Sequence, residues 1–247
     1  MEPSLPRRQV LAGGALGVVA AAAGGAGLVR AGVLPGRYRL ARALGACEVA
    51  LPATSVAPGP TRFGAFPSRR RGRRVGYGVA WPPGSGPGDR LPVCLLLHAA
   101  AGDHRAPFER LRMAHHLAQA VAVQRVRPFA LASADGAGSV GVAGWSMGGA
   151  GALRLAEAAP ERLAAVVATS PAVASAGEEV AGAARLRGLA VRVDCGETDP
   201  FADATRALAA HLPEDARVTL AKGCHDGVFW QQQAPAQLQF LATTLGR

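Results

Sequence analysis

One segment constrains the possible folds of this chain more than any other. An apolar, strand-like run at residues 140–144 leads through the letters GWSMGG, at 144–149, into an alanine- and leucine-rich helical pattern. Glycines on either side of Ser146 let the strand and helix backbones approach closely and hold the serine on a strained turn with its hydroxyl exposed. A strand, sharp turn and helix in this order predict an α/β domain with a parallel sheet.

Strand-like and helical patterns alternate through the rest of the chain. Seven apolar runs of strand length are separated by helical patterns in several places, and no internal repeat is evident. This alternation predicts a mainly parallel sheet with helices on both faces. The predicted strands are 75–81, 93–98, 129–135, 140–144, 164–170, 191–195 and 218–221, and the predicted helices are 107–122, 147–158, 201–211 and 235–245.

The composition fits one domain with an amino-terminal extension. The 247 residues, of which 49% are hydrophobic and 18% charged, can bury one sizeable core, and this excludes a disordered chain. We place the domain at residues 62–247 and a linker punctuated by proline and glycine at 32–61. Residues 1–31 are expected to be an export signal or a membrane anchor.

The extension carries an arginine pair ahead of an uncharged stretch. Arg7 and Arg8 precede residues 10–29, which are rich in glycine and alanine. This arrangement resembles a bacterial twin-arginine export signal. Because the arginines stay on the inner side of the membrane, the domain is expected outside the cytoplasm, either secreted or anchored to the membrane through residues 10–29. No clean A-x-A cleavage site follows, so release and anchoring both stay open.

The net charge of +10 comes almost entirely from arginine, since Lys222 is the single lysine among 27 basic residues. The densest cluster, residues 69–74, borders a predicted strand and is expected to be a solvated hairpin tip. No zinc-finger, helix-turn-helix or base-stacking pattern accompanies the cluster, so we predict no nucleic-acid partner. Contact with an anionic lipid or the cell wall stays open.

Four cysteines, Cys47, Cys94, Cys195 and Cys224, permit disulfides in an exported chain. Their spacing fits neither a zinc site nor a CxxC redox motif. Cys94 lies in an apolar run and is expected to be a buried thiol. Cys195 and Cys224 either pair with each other, because their strands should be neighbours, or are two separate buried thiols.

Catalysis by a serine needs more than the serine itself, because its hydroxyl is a poor nucleophile without a base, and the base needs an orienting carboxylate. The carboxy-terminal third supplies both. Asp199 lies in the loop after the predicted strand 191–195, and His225 lies in the loop after 218–221. Ser146, Asp199 and His225 are then expected at the carboxyl ends of three strands, where open α/β sheets place their sites.

Other acids and histidines compete for these two roles. Asp194, within a predicted strand, and Glu197, earlier in the same loop, are the alternatives for the acid, and the loop position favours Asp199. His115 and His116 fall inside a predicted helix and are assigned no catalytic role.

Three motifs occur in the order typical of one enzyme family: GWSMGG at 144–149, DCGETDPF at 194–201, and GCHD at 223–226 followed by Phe229 and Trp230. Together they resemble the esterase family of α/β-hydrolases that includes esterase D, the S-formylglutathione hydrolases and the mycobacterial mycolyltransferase antigens, here in an exported, actinobacterial form. The resemblance covers residue 75 to the carboxy terminus. It implies a serine esterase that acts on small-molecule or lipid esters through an acyl-enzyme, without metal or organic cofactor.

Acyl transfer also needs two N–H donors that hold the oxyanion. The resemblance assigns one to Met147, directly after the nucleophile, and one to the loop after the predicted strand 93–98, where we choose Ala100. Family members usually have a glycine pair in this loop, and Ala99 stands in its place. If the backbone there needs a positive φ, alanine adds strain of about 1 kcal/mol.

The sequence departs from the family in one connection. Residues 136–139 alone join the predicted strands 129–135 and 140–144. In the resembled fold these strands lie on opposite sides of strand 93–98, and a parallel crossover needs about 10 to 12 residues or more. We therefore expect an α/β-hydrolase fold that lacks one crossover helix, unless 129–135 is not that strand.

A lid is also expected to be absent, because the segment between strands 164–170 and 191–195 has room for one helix only. The predicted site is therefore open and shallow, which favours short acyl chains or an accessible surface substrate. Two other functions stay open. An acyltransferase of the mycolyltransferase type differs only in whether an alcohol outcompetes water, and a non-catalytic cell-surface protein on a decayed hydrolase scaffold would explain the missing crossover and Ala99.

Overall fold

The computed structural model describes residues 36–69, 72–100, 102–133, 140–173 and 182–245. The chain divides into two compact units, Met1–Ala46 and Cys47–Arg247. The described part of the first unit contains one short helix, α1 (Arg37–Ala43), which has no buried residue. The predicted signal at 1–31 lies outside the described residues. Within the described ranges, no helix combines the length and the hydropathy needed to cross a membrane.

The second unit is built around one sheet of eight strands in the order β1-β2-β4-β3-β5-β6-β7-β8. β1 pairs with β2, and β2 with β4, in antiparallel fashion, and all other pairs are parallel. The predicted, mainly parallel sheet is therefore confirmed. The strands are β1 (Thr61–Ser68), β2 (Arg73–Ala80), β3 (Val93–Leu97), β4 (Ala130–Ala132), β5 (Val140–Trp145), β6 (Leu163–Thr169), β7 (Ala190–Gly196) and β8 (Arg217–Ala221).

Five helices accompany the sheet in the described part of the second unit. They are α2 (Ala106–Glu109), α3 (Met113–Ala122), α4 (Met147–Ala158), α5 (Ala202–Ala209) and α6 (Gly227–Leu245), with 3₁₀ turns at Pro160–Arg162 and Ala184–Leu186. The last helix was predicted to begin at residue 235, and this start is wrong. A proline is typical of a first helical turn, which makes Pro235 look like the beginning of a helix. Pro235 instead lies inside α6, whose true start is capped by Asp226, a carboxylate that accepts the N–H groups of Val228 and Phe229.

Strand β1 was not predicted. Its sequence, TRFGAFPS, contains Gly64 and Pro67, two residue types that are depleted in strand interiors. β1 lies at the edge of the sheet, where a proline interrupts no ladder with a further strand. Ser68 pairs with Arg73 across the hairpin formed by β1 and β2. The described arginines of the cluster, Arg69, Arg73 and Arg74, therefore lie at the hairpin end of β1 and β2, as predicted, and are exposed.

The core lies on both faces of the sheet, because successive side chains of a strand point to opposite sides. Val166 of β6 packs with Leu153 of α4 in one buried cluster. Its neighbour Val167 packs in the other cluster with Leu117 of α3 and Leu241 of α6. Helices therefore cover both faces, and the central strands that lead to the site are fixed from both sides.

Strands β4 and β5 lie on opposite sides of β3, and both are parallel to it. β4 ends at Ala132, so the connection to β5 comprises residues 133–139, which is longer than predicted. The predicted loss of a crossover helix falls on residues 134–139, which lie outside the described residues. The predicted absence of a lid falls in part on residues 174–181, which also lie outside them.

A disulfide joins Cys47 to Cys224, with the two Cα atoms 4.9 Å apart. Both alternatives from the sequence are wrong for Cys224, which neither pairs with Cys195 nor is a free thiol. Cys195 lies opposite Leu220 in the ladder of β7 and β8, so the neighbouring strands do not bring Cys195 and Cys224 together. Cys94 and Cys195 are free and buried.

The second unit begins at Cys47, within the range 32–61 that was predicted as a linker. The disulfide closes a sequence separation of 177 residues. In the chain-entropy account, closing a loop of this length stabilises the fold by about 5 kcal/mol, because the unfolded chain loses that much freedom.

The buried His116 of α3 predicts a loss of stability at mildly acidic pH. It is 3% exposed, and burial, aided by the charge of Arg112, lowers its pKa to about 4. The unfolded chain, with a histidine pKa of about 6.5, binds a proton at pH 5 that the folded chain does not bind. We therefore expect His116 to reduce the free energy of unfolding by about 1 to 2 kcal/mol between pH 7 and pH 5.

Denaturant unfolding of the wild type and of His116→Gln at pH 7 and pH 5 measures how much His116 contributes to this loss of stability. Between pH 7 and pH 5, the free energy of unfolding of His116→Gln should fall by about 1 to 2 kcal/mol less than that of the wild type. His211→Gln, which alters an exposed histidine, is the control and should keep the wild-type pH dependence. Equal losses in the wild type and His116→Gln would contradict the assignment.

Candidate active site

Ser146 lies on the turn between β5 and α4 with φ 55° and ψ −118°. The turn is held by the segment at the end of β6. The N–H of Ser146 donates to the carbonyl of Thr169 at 2.9 Å, and the carbonyl of Ser146 accepts the N–H of Ala172 at 3.1 Å. A positive φ is unusual for a residue with a Cβ, and such strain persists only where the surroundings impose it. The strained turn predicted from the motif is therefore present.

Two glycines make the turn possible. A side chain on Gly144 would collide with the carbonyl of Gly148, and a side chain on Gly148 would collide with the carbonyls of Leu97 and His98. The amino terminus of α4 therefore packs directly against the carboxyl end of β3. This packing places the loop that follows β3 beside the turn of Ser146.

Three side chains form a continuous chain of hydrogen bonds. The hydroxyl of Ser146 donates to Nε2 of His225 at 2.8 Å, and Nδ1–H of His225 donates to Oδ2 of Asp199 at 2.9 Å. The carboxylate can only accept, so this pairing assigns the proton of the neutral imidazole to Nδ1. The structure thus brings together Ser146, Asp199 and His225, the three residues selected from the sequence.

Asp199 is itself held in place. Its residue is 5% exposed, and its second oxygen, Oδ1, accepts the N–H of Phe201 at 2.8 Å. The N–H of Asp199 donates to the carbonyl of Gly196 at 3.0 Å, which closes the turn after β7. A buried carboxylate with both oxygens engaged gives His225 a fixed partner.

The imidazole of His225 lies between two aromatic rings. The ring centroids of Phe201 and Trp230 are 5.2 Å and 5.4 Å from that of His225, both in edge-to-face geometry. The indole N–H of Trp230 donates to the hydroxyl of Ser170 at 3.1 Å, which orients the indole. Trp230 is part of the third sequence motif, but the role of Phe201 was not predicted.

The competing acids have other environments. Asp194 is fully buried in β7, where Nε of Arg192 donates to it at 2.9 Å and the amide of Gln237 donates at 2.8 Å. Glu197 is exposed. Asp199 is the one of the three acids that bonds His225.

The amide of Gln237 also donates to the hydroxyl of Thr169 at 2.7 Å. The main chain of Thr169 holds the turn of Ser146. The ion pair of Arg192 and Asp194 therefore connects, through two residues, to the position of the serine.

The two expected oxyanion donors lie on either side of the contact between α4 and β3. Met147 begins α4, where the first N–H groups have no partner within the helix and the helix dipole favours a negative charge. Ala100 follows β3 in an exposed loop, and its neighbour Ala99 accepts the N–H of Gly102 at 3.1 Å. Neither Ala99 nor Ala100 has a positive φ, so the strain considered for Ala99 does not arise. The role of Met147 and Ala100 as oxyanion donors stays a prediction.

The proximity of Cys47 to the site was not predicted from the sequence. Its partner, Cys224, directly precedes His225. A bond across 177 residues leaves no local pattern in the sequence. Within the described part of the chain, no group of three or more histidine, cysteine, aspartate or glutamate residues could hold a metal ion.

Residues 124–245 match the model of the family described as "Putative esterase", and this range includes Ser146, Asp199 and His225. Among curated proteins, none matches the sequence significantly.

Solved structures with a similar fold include a ferulic acid esterase, at 17% identity and a TM-score of 0.66, with 76% of this chain and 100% of that chain covered. A ferulic acid esterase of the anaerobic fungus Anaeromyces mucronatus is 15% identical, with a TM-score of 0.65 and 79% and 94% covered. The S-formylglutathione hydrolase of Staphylococcus aureus is 14% identical, with a TM-score of 0.58 and 74% and 98% covered. These similarities confirm the predicted α/β-hydrolase fold.

The buried ion pair predicts a large effect of Asp194→Asn on stability. The guanidinium of Arg192, whose side chain is 9% exposed, would lose the charge that compensates it. We expect the free energy of unfolding to fall by about 3 kcal/mol or more, measured by denaturant unfolding. Glu109→Gln, which breaks the exposed pair with Arg105, is the matched control and should cost less than about 1 kcal/mol. A similar fall in the free energy of unfolding of Asp194→Asn and Glu109→Gln would contradict the expected cost of leaving Arg192 buried without its partner.

Proposed function

We propose that this protein is a serine esterase that hydrolyses carboxylic esters through an acyl-enzyme. The observation that carries the proposal is the chain of hydrogen bonds from Ser146 through His225 to Asp199, at 2.8 Å and 2.9 Å. These residues lie in the loops after β5, β7 and β8, and so at the carboxyl ends of three parallel strands. The family match over residues 124–245 supports an esterase.

Acylation follows from this geometry. Oγ of Ser146 attacks the carbonyl carbon of the ester while Nε2 of His225 takes the hydroxyl proton. The carboxylate of Asp199 holds Nδ1–H and stabilises the positive charge that forms on the imidazole. The N–H groups of Met147 and Ala100 hold the oxyanion. When the tetrahedral intermediate collapses, the alcohol leaves with the proton from His225, and the acyl group stays on Ser146.

Deacylation repeats these steps with water. His225 takes a proton from the water, whose oxygen attacks the acyl carbon, and the carboxylic acid leaves as Ser146 regains its proton. An alcohol in place of water would give acyl transfer. Assays of an aryl ester with added glycerol or trehalose distinguish the two, because transfer yields a new ester instead of the free acid.

A fluorophosphonate probe tests the proposal directly, because it forms an adduct with an activated serine beside a working oxyanion hole. We expect mass spectrometry to find the adduct on Ser146. Ser146→Ala and His225→Ala should lose both the labelling and the hydrolysis of p-nitrophenyl acetate, by about a thousandfold or more in kcat. A folded wild type that takes up no label would instead support the non-catalytic alternative.

Matched controls separate the roles of the residues. Ser85→Ala, in the loop between β2 and β3, should be labelled like the wild type. Asp199→Asn should lose about a hundredfold or more in kcat, because the amide cannot hold the imidazole in the required tautomer. Glu197→Gln changes the exposed acid of the same loop and should keep wild-type kcat. Equal activity of Asp199→Asn and Glu197→Gln would remove Asp199 from the mechanism.

We also propose that the domain acts outside the cytoplasm. The pair Arg7 and Arg8 ahead of residues 10–29 resembles a twin-arginine signal. The disulfide of Cys47 with Cys224 supports an oxidising compartment, because structural disulfides are rare in the cytoplasm.

Replacement of both Arg7 and Arg8 by lysine keeps the positive charge but removes the arginine pair. We expect this variant to stay in the cytoplasmic fraction with Cys47 and Cys224 reduced, as measured by fractionation and thiol alkylation. Arg39→Lys, beyond the uncharged stretch, is the control and should be exported. Undiminished export of the lysine pair would rule out this route.

A further inference from the structure

We propose that the disulfide between Cys47 and Cys224 positions His225, so that esterase activity depends on the redox state of these two cysteines. The inference rests on the proposed function. Cys224 is fully buried and directly precedes His225, so a restraint on its side chain acts on the main chain of the histidine. Cys47 and Cys224 are thus assigned as positioning residues.

The loop of His225 is also tied to the loop of Asp199. The carbonyl of Gly223 accepts the N–H of Thr198 at 3.2 Å and the hydroxyl of Thr198 at 2.7 Å. The hydroxyl of Thr198 is also 3.0 Å from Sγ of Cys224. Because Thr198 precedes Asp199, these contacts join the residues just before the acid to the residues just before the base.

The carboxyl end of the same loop is fixed by α6. The carboxylate of Asp226 caps the helix by accepting the N–H groups of Val228 and Phe229, and the N–H of Asp226 donates to the carbonyl of Cys224 at 3.1 Å. Both ends of the loop are therefore held by hydrogen bonds. The disulfide adds the one covalent restraint on the loop, and it comes from a distant segment.

That segment has its own attachment to the domain. The side-chain oxygen of Gln119 accepts the N–H of Ser55 at 3.1 Å and its hydroxyl at 3.2 Å. The segment that carries Cys47 is therefore bound to the domain at two points, by the disulfide at Cys47 and by the contact of Ser55 with α3. Neither buried cluster of the sheet and helices contains Cys47 or Cys224, so loss of the disulfide would act first on the link between the loop and this segment.

The disulfide is open to reduction from one side, because Cys47 is only partly buried whereas Cys224 is fully buried. A thiolate of dithiothreitol attacks Sγ of Cys47, the bond between the cysteines breaks, and Cys224 leaves as a thiolate that takes a proton. The second thiol of the reagent then displaces Cys47. Two electrons and two protons pass to the cysteines, and the reagent becomes a cyclic disulfide.

The two remaining cysteines do not complicate this reaction. Cys94 and Cys195 are already thiols, and both are fully buried. A change in activity on reduction therefore reports on the pair of Cys47 and Cys224.

The test measures kcat and KM for p-nitrophenyl acetate with purified, oxidised protein, with the same protein after dithiothreitol and its removal, and after reoxidation. We expect kcat to fall about tenfold or more on reduction, because small displacements of a catalytic group have large effects on rate. KM should change by less than about twofold, since the restraint acts on the base and not on substrate binding. Reoxidation should restore kcat, and circular dichroism should show an unchanged fold throughout.

Cys47→Ala provides the matched variant, because it removes the bond at its partly exposed end. It should have the low kcat of the reduced wild type and should no longer respond to dithiothreitol. Cys94→Ala, which leaves the disulfide intact, should respond like the wild type.

An unchanged kcat in the reduced protein or in Cys47→Ala would overturn the inference while leaving the esterase intact. A fall in kcat that only follows the fraction of unfolded protein would also overturn it. Oxidised wild type without activity or fluorophosphonate labelling would overturn the esterase proposal first, and the inference with it.

Discussion

The site depends above all on the close approach of α4 to the carboxyl ends of β3 and β6. Gly144 and Gly148 allow this approach because any side chain at either position would meet a main-chain carbonyl. The bond from the N–H of Ser146 to the carbonyl of Thr169 then fixes the strained turn. Two consequences follow from this one contact. The hydroxyl of Ser146 meets His225, and the amino terminus of α4 lies beside the loop that follows β3.

A buried polar network joins the central strands to the turn of Ser146. Asp194 accepts hydrogen bonds from Arg192 and Gln237, and Gln237 also bonds Thr169, the residue that holds the turn of Ser146. A buried ion pair is weak evidence for stability, because desolvation offsets much of the attraction between the charges. Its geometry nevertheless links β7, α6 and β6 at the point where the serine must be placed. The network thus helps to fix the position of Ser146, at a site where small displacements strongly reduce the rate.

The base reaches the site from a loop that is restrained by three different parts of the chain. Thr198 holds it from the acid loop, Asp226 from α6, and Cys47 from the segment ahead of the sheet. Phe201 and Trp230 then limit the movement of the imidazole itself. These restraints explain how a histidine on a short loop can keep hydrogen bonds to two residues from other loops.

The features that could be predicted from the sequence are those whose signals are local. The glycine spacing around Ser146 predicted the turn, the alternation of apolar patterns predicted the parallel sheet, and the order of three motifs selected Ser146, Asp199 and His225. The turn and each motif lie within about ten residues, where backbone sterics and side-chain periodicity act directly. Strand β1 was missed because Gly64 and Pro67 obscure the local pattern of an edge strand.

The tertiary structure alone shows which residues meet across long stretches of chain. It paired Cys224 with Cys47 instead of Cys195, committed Asp194 to Arg192, and placed Phe201 against His225. Such pairings depend on strand register and on loops that meet in space. Neither produces a local pattern in the sequence from which the pairing could be predicted.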